Sequence, residues 1–203
     1  MTKSVLGVLA SGRGSNLQSI MDAIEAGQIN ASIGVVITDK PEAKALERAA
    51  AAGILAVCVN RKKCASKEEF EEKLVETLRK HDVSLVVLVG FMRILSPYFV
   101  RSFKDCIMNI HPSLLPAFGG AHAHRDVLAY GVKVSGCTIH FVDEGMDSGP
   151  IILQDTVPVL PGDTEEVLAA RVLEKEHELY PKAIELYTKG KLSVSGRHVT
   201  IQE

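Results

Sequence analysis

The chain's 203 residues contain no CxxC pair. Cys58, Cys64, Cys106 and Cys137 are scattered, which suits neither a disulfide framework nor a zinc ribbon and reads as reduced thiols. It also lacks a dominant charge. With 23 Lys and Arg against 25 Asp and Glu the formal net charge is -2, so there is no basic field to draw it to nucleic acid. The apolar stretch at the start is too short to span a bilayer and runs into a glycine loop rather than a cleavage site. No membrane partner and no targeting segment are expected, and the expected location is cytoplasmic. Neither an internal repeat nor a low-complexity tract is present. What remains is ordinary globular composition, 46% hydrophobic and 24% charged, in a length suited to one α/β domain around one core.

Strand and helix signals alternate. SVLGVLA, residues 4–10, is a short apolar run ended by a Ser-Gly turn signal, as a strand buried on both faces of a parallel sheet requires. A helix over 17–26 stops before Gly27, and SIGVVIT, 32–38, completes a βαβ unit. A helix over 43–52, a short strand at 56–60 and a helix from the Ser66 and Glu69 capping box to about residue 81 follow. SLVVLVG, 84–90, is the most apolar run and the expected sheet centre. Further strands are expected at 106–110, 134–142 and 150–159. Asp163 with Glu166 should cap a last helix reaching about residue 188, which Pro181 kinks or divides.

Three segments carry chemistry. SGRGSN, Ser11 to Asn16, joins the first strand to its helix, where backbone N–H groups and the helix dipole favour an anion. Neither a dinucleotide fingerprint nor a Walker loop is met, because Leu17 stands where the third glycine belongs and GK[ST] is absent. Gly14, Ser15 and Asn16 then suit a monophosphate, while a tight turn with a helix cap satisfies the same pattern. Asn109 and His111 occupy alternate positions at a strand end, so their side chains project to one side. An Asn amide can donate to a developing oxyanion and an imidazolium can add charge or pass a proton, although a turn and a loop mouth would use the same residue types. In the loop DEGMDSG, Asp147 is the expected carboxylate partner of His111, which it would hold protonated. His122, His124 and His140 come without HExxH or a matched Cys/His set, so no metal is expected. Glu174, Glu176 and Glu178 read by themselves as a solvated acidic helix face.

Taken together, SGRGSN, GFMRILSP, NIHPSLLP and GCTIHFVDEGMDSGPII resemble the glycinamide ribonucleotide formyltransferase family, in the same order and over essentially the whole chain. The resemblance implies an α/β fold with a single doubly wound, mostly parallel sheet flanked by helices and an antiparallel portion late in the chain. It implies one formyltransferase domain over 1–203, with phosphate-substrate binding in about 1–90 and folate binding and catalysis in about 91–190. Asn109, His111 and Asp147 fall on the family's catalytic triad, and Gly14, Ser15 and Asn16 on its substrate-phosphate site. Glu176 falls at the substrate amine region. The folate pocket maps onto Met92, Arg93, Ile94 and Leu95, with main-chain groups of Arg93 and Leu95 facing the pterin, and onto Val142, Asp143, Glu144 and Gly145.

The activity implied is formyl transfer from 10-formyltetrahydrofolate, a co-substrate, to glycinamide ribonucleotide in purine biosynthesis. Only small-molecule partners are implied, with the chain a monomer or homodimer. Methionyl-tRNA formyltransferase and formyltetrahydrofolate deformylase share the chemistry but carry extra domains, and the length of the chain disfavours both. Sugar-nucleotide formyltransferases share the Asn, His and Asp set, and the SGRGSN loop favours the ribonucleotide substrate over theirs. A non-catalytic folate- or phosphate-binding module would leave the three catalytic residues unexplained.

Overall fold

Runs of branched and aliphatic residues too short for helices set the frame of the protein. The computed structural model describes residues 3–202. Among the described residues nine strands form one mostly parallel sheet in the order β3-β2-β1-β4-β5-β6-β7-β9-β8. Parallel pairing joins β1 (Ser4–Ala10) to β2 (Ala31–Thr38) and β4 (Leu85–Val89), and β2 to β3 (Ala56–Cys58). All five residues of β4 are buried, as a strand covered on both faces demands, each side chain contributing on the order of 1.5–3 kcal/mol. The order reverses at β1, with β2 on one side and β4 on the other; in open α/β sheets ligands sit beyond strand ends at such a switch.

The chain folds as two compact units, 1–108 and 109–203, and the boundary falls inside β5 (Ile107–His111). The GFMRIL turn lies in the first unit. The first unit contains α1 (Ser15–Glu25), α2 (Lys44–Ala51), α3 (Lys67–Lys80) and α4 (Pro97–Ser102). Ser66 caps α3, its Oγ accepting from Glu69 N–H (3.2 Å), while the Glu69 carboxylate reaches past the cap residue of a capping box to the amide of Ala65 (2.6 Å). The helix α4 was hidden in what reads as a turn; Ser96 caps it and Pro97 sits where its missing N–H costs nothing.

In the second unit β6 (Val134–Phe141) and β7 (Ile151–Pro158) pair antiparallel, and α5 (Ala123–Tyr130) and α6 (Glu165–Thr188) accompany them. Val127, Cys137, Val157, Leu168 and Val172 form its buried cluster, with Phe118 packed against it. The cap of α6 is Thr164, which accepts from Val167 N–H, and not Asp163. Asp163 instead accepts from Leu160 N–H (2.8 Å) and holds Arg171 through both carboxylate oxygens (2.7 and 2.9 Å). The helix runs unbroken through Pro181. A closing hairpin, β8 (Leu192–Ser195) and β9 (His198–Ile201), adds to β7 by parallel pairing of β9. No described helix is long and apolar enough to cross a membrane.

Candidate active site

Two loops of the first unit leave the switch point. After β1, Gly14 takes φ 68° and precedes α1 without a side-chain cap, a conformation glycine adopts at no steric cost. A side chain there would also meet Ala45, whose Cβ lies 3.0 Å from the position of an added Cβ. Gly12 C=O accepts from Ala45 N–H (3.2 Å) and Arg13 C=O from Arg48 Nε (2.9 Å), so α2 braces the loop. Ser15 and Asn16 begin α1, with Asn16 buried.

After β4, the GFMRIL turn is tied to the first loop: Ser11 N–H donates to Gly90 C=O (3.3 Å) and Met92 N–H to Ser11 Oγ (2.9 Å). Met92 and Ile94 are exposed, 71% and 67%, whereas Leu95 is buried at 8%, so the apolar side chains that the turn presents outward are those of Met92 and Ile94. The Arg93 guanidinium turns to Asp39 (2.6 Å) and lies over the Phe70 ring (5.9 Å). Glu71 accepts from both the amide and the hydroxyl of Ser96 and so pins the far end of the turn.

In the second unit His111 ends β5, buried, with Nδ1 3.5 Å from Asp147 Oδ2. Its Nε2 lies 2.9 Å from the carbonyl of Phe118. A carbonyl only accepts, so Nε2 carries a hydrogen. Asp147 has φ 50° and accepts from Gly120 N–H (2.8 Å). Asn109 Nδ2 lies 3.1 Å from His140 Nε2, and His140 Nδ1 lies 2.9 Å from the carbonyl of Phe141. Burial pushes His140 below the ordinary histidine value, so the neutral ring is favoured.

The segment 142–145 follows β6. Asp143 spends its carboxylate on the loop itself, accepting from Gly145 N–H (3.1 Å) and Ser148 Oγ (2.6 Å), while Glu144 and Gly145 are exposed and Val142 is half-buried. Glu176 is buried on α6, and its charge adds to the burial that pushes the Cys137 thiol up to about 12. Glu174 and Glu178 are exposed. The three glutamates thus do not form one solvated face, because a helical residue lies about 200° around the axis from the one two places before it.

The root of the loop 112–121 is fixed through Thr138. Thr138 Oγ1 donates to Ser113 C=O (2.7 Å) and accepts from Leu115 N–H (3.0 Å) and Gln154 Nε2 (2.9 Å). Phe118 packs edge-on to Tyr130 with ring centroids 5.8 Å apart. His122 precedes α5 without a side-chain cap bond, and His124 Nδ1 is buried without a partner. Among the described residues no group of three or more His, Cys, Asp or Glu could hold a metal ion, and no disulfide joins the cysteines.

Residues 5–184 match the model of a family described as formyl transferase. Phosphoribosylglycinamide formyltransferase of Escherichia coli is 42% identical over 187 residues, covering 92% of this chain and 88% of that protein. The trifunctional purine biosynthetic protein adenosine-3 of Drosophila melanogaster is 44% identical over 190 residues, 93% of this chain, but the chain spans only 14% of that protein's length. The crystal structure of glycinamide ribonucleotide transformylase 1 from Symbiobacterium toebii superimposes with a TM-score of 0.97 at 48% identity, covering 98% of this chain and 94% of that one.

Proposed function

The chain belongs to the formyl transferase family, and from that membership we propose that it moves a formyl group from 10-formyltetrahydrofolate to the amine of glycinamide ribonucleotide, giving formylglycinamide ribonucleotide and tetrahydrofolate in purine biosynthesis. The two units act as one formyltransferase domain, in the cytoplasm, as a monomer or homodimer. The observation that carries the reading is the approach of His111 Nδ1 to Asp147 Oδ2, 3.5 Å, on the strand that also bears Asn109.

The uncharged amine attacks the formyl carbon directly, without a covalent enzyme intermediate. The oxygen of the tetrahedral centre gains negative charge and accepts hydrogen bonds from Asn109 Nδ2 and His111 Nε2, preorganised donors of the kind that stabilise such an oxyanion most. Asp147 faces Nδ1 of His111 and holds the ring in place. Through a water, Asp147 carries the proton from the attacking nitrogen to the folate nitrogen, whose bond to the formyl carbon breaks. Gly14, Ser15 and Asn16 hold the acceptor's phosphate by main-chain amides at a helix N-terminus. Glu176 meets the acceptor near its amine. Met92, Arg93, Ile94 and Leu95, with Val142, Asp143, Glu144 and Gly145, receive the folate, the first group offering two exposed apolar side chains beside turn amides.

The test is a panel of amine acceptors assayed with 10-formyltetrahydrofolate. Turnover confined to glycinamide ribonucleotide is expected. Formate release without any acceptor would mean that water is the natural nucleophile and would overturn the acceptor assignment.

A further inference from the structure

We propose that His140 fixes which end of the Asn109 amide faces the reacting group, and is thus a positioning residue for formyl transfer. The proposal rests on the reading of Asn109 as the oxyanion donor. An Asn amide has a nitrogen end and an oxygen end of nearly the same size, so packing alone does not choose between them and a hydrogen-bond partner must. The partner given by the fold is His140 Nε2, 3.1 Å from Asn109 Nδ2.

What that nitrogen can do is decided one bond further on. His140 Nδ1 lies 2.9 Å from the Phe141 carbonyl, which only accepts, so the ring hydrogen sits on Nδ1. In a neutral ring Nε2 is then a lone pair, and it accepts from Asn109. The ring is 2% exposed, too buried to take on charge without cost, and burial is the main cause that holds it neutral. Its place is set by the backbone: the pairing of β6 with β7 shifts register between Ile139 and His140, at the last turn of the strand pair before DEGMDSG.

The relay Phe141 C=O, His140, Asn109 leaves the second Nδ2 hydrogen for the oxygen of the tetrahedral centre. Were the amide to flip, Oδ1 would face the His140 lone pair, acceptor against acceptor, and the donor would move away from the reacting oxygen. A misplacement of that size costs up to about 100-fold in rate.

The experiment measures kcat and both KM values. His140→Leu keeps the volume without the acceptor and is expected to lower kcat about 10- to 100-fold with both KM values nearly unchanged. His140→Gln, whose Oε1 accepts from the same place, should recover most of that loss. In an Asn109→Ala background, His140→Leu should cost nothing more, because the ring acts only through Asn109; an undiminished further loss there, or no recovery by Gln, would show a merely structural role and overturn the proposal. Wild-type kcat in His140→Leu with Asn109→Ala impaired would overturn it and leave the formyl-transfer reading standing, whereas wild-type kcat in Asn109→Ala would overturn both. Should His140→Leu fail to fold, nitrogen-15 resonances of the wild-type ring decide: hydrogen on Nδ1 is expected, and hydrogen on Nε2 alone overturns the proposal.

Discussion

His111 is held by the loop that follows it: its Nε2 donates to the carbonyl of Phe118 at 2.9 Å. The donor assigned to the oxyanion is therefore engaged by the loop, in which Phe118 takes a positive φ of 53°. An incoming formyl oxygen has to displace this contact. Nuclear magnetic relaxation of residues 117–120 is expected to differ between the free protein and the complex with folate analogue and acceptor. Identical relaxation in both states would argue against a closing loop.

Asn109→Ala should lose about 100- to 1000-fold in kcat with little change in acceptor KM, the usual cost of removing one preorganised donor. Asp147→Asn should be at least as damaging, since it deletes both the charge beside His111 and the proton relay. The double variant should fall far short of the product of the two losses, because the groups act as a unit. Single-variant kcat near wild type at saturating substrates would place the chemistry elsewhere.

At the phosphate loop, Gly14→Val forces a branched residue to φ 68° and toward Ala45, 3.0 Å from an added Cβ. Acceptor KM should rise much more than folate KM. Steady-state kinetics with each substrate varied checks this, and an equal rise in both would count against the assignment.

The Asp163 carboxyl is held at about 2, below its ordinary 3.8, chiefly by the Arg171 guanidinium and then by the Leu160 amide. A depressed folded value stabilises the protein above the unfolded value and is lost as pH falls from about 4 toward 2. Asp163→Asn should therefore lower Tm at neutral pH, and the gap from wild type should close in that acidic window. A gap that stays constant down to pH 2 would refute the linkage.

Much of this was legible because burial writes itself into apolar runs: β1, β2 and β4 stand where SVLGVLA, SIGVVIT and SLVVLVG lie. Thr164 and Asp163 are both good capping types, and only Arg171, eight places on, settles which is recruited elsewhere. The closing hairpin escaped notice because its strands have four residues each, too short for the alternation of Leu192 with Val194 and of Val199 with Ile201 to stand out. In the site, the period of two put Asn109 and His111 together on one strand, while the Phe118 carbonyl and the Gly120 amide are main-chain groups that any residue supplies. His140 reads as a lone histidine in an apolar strand until its two ring partners are seen.

The hydroxyl of Ser11 receives the amide of Met92 across 81 positions of sequence, joining the loop assigned to the phosphate with the turn assigned to the folate. A shift in one is expected to reach the other, so the affinities for the two substrates should be coupled. Whatever factor the acceptor imposes on folate affinity, folate imposes on the acceptor, and the two must be equal. Calorimetric titration of each ligand with and without the other measures that factor twice over, and Ser11→Ala should bring it toward one by letting each loop answer to its own ligand alone.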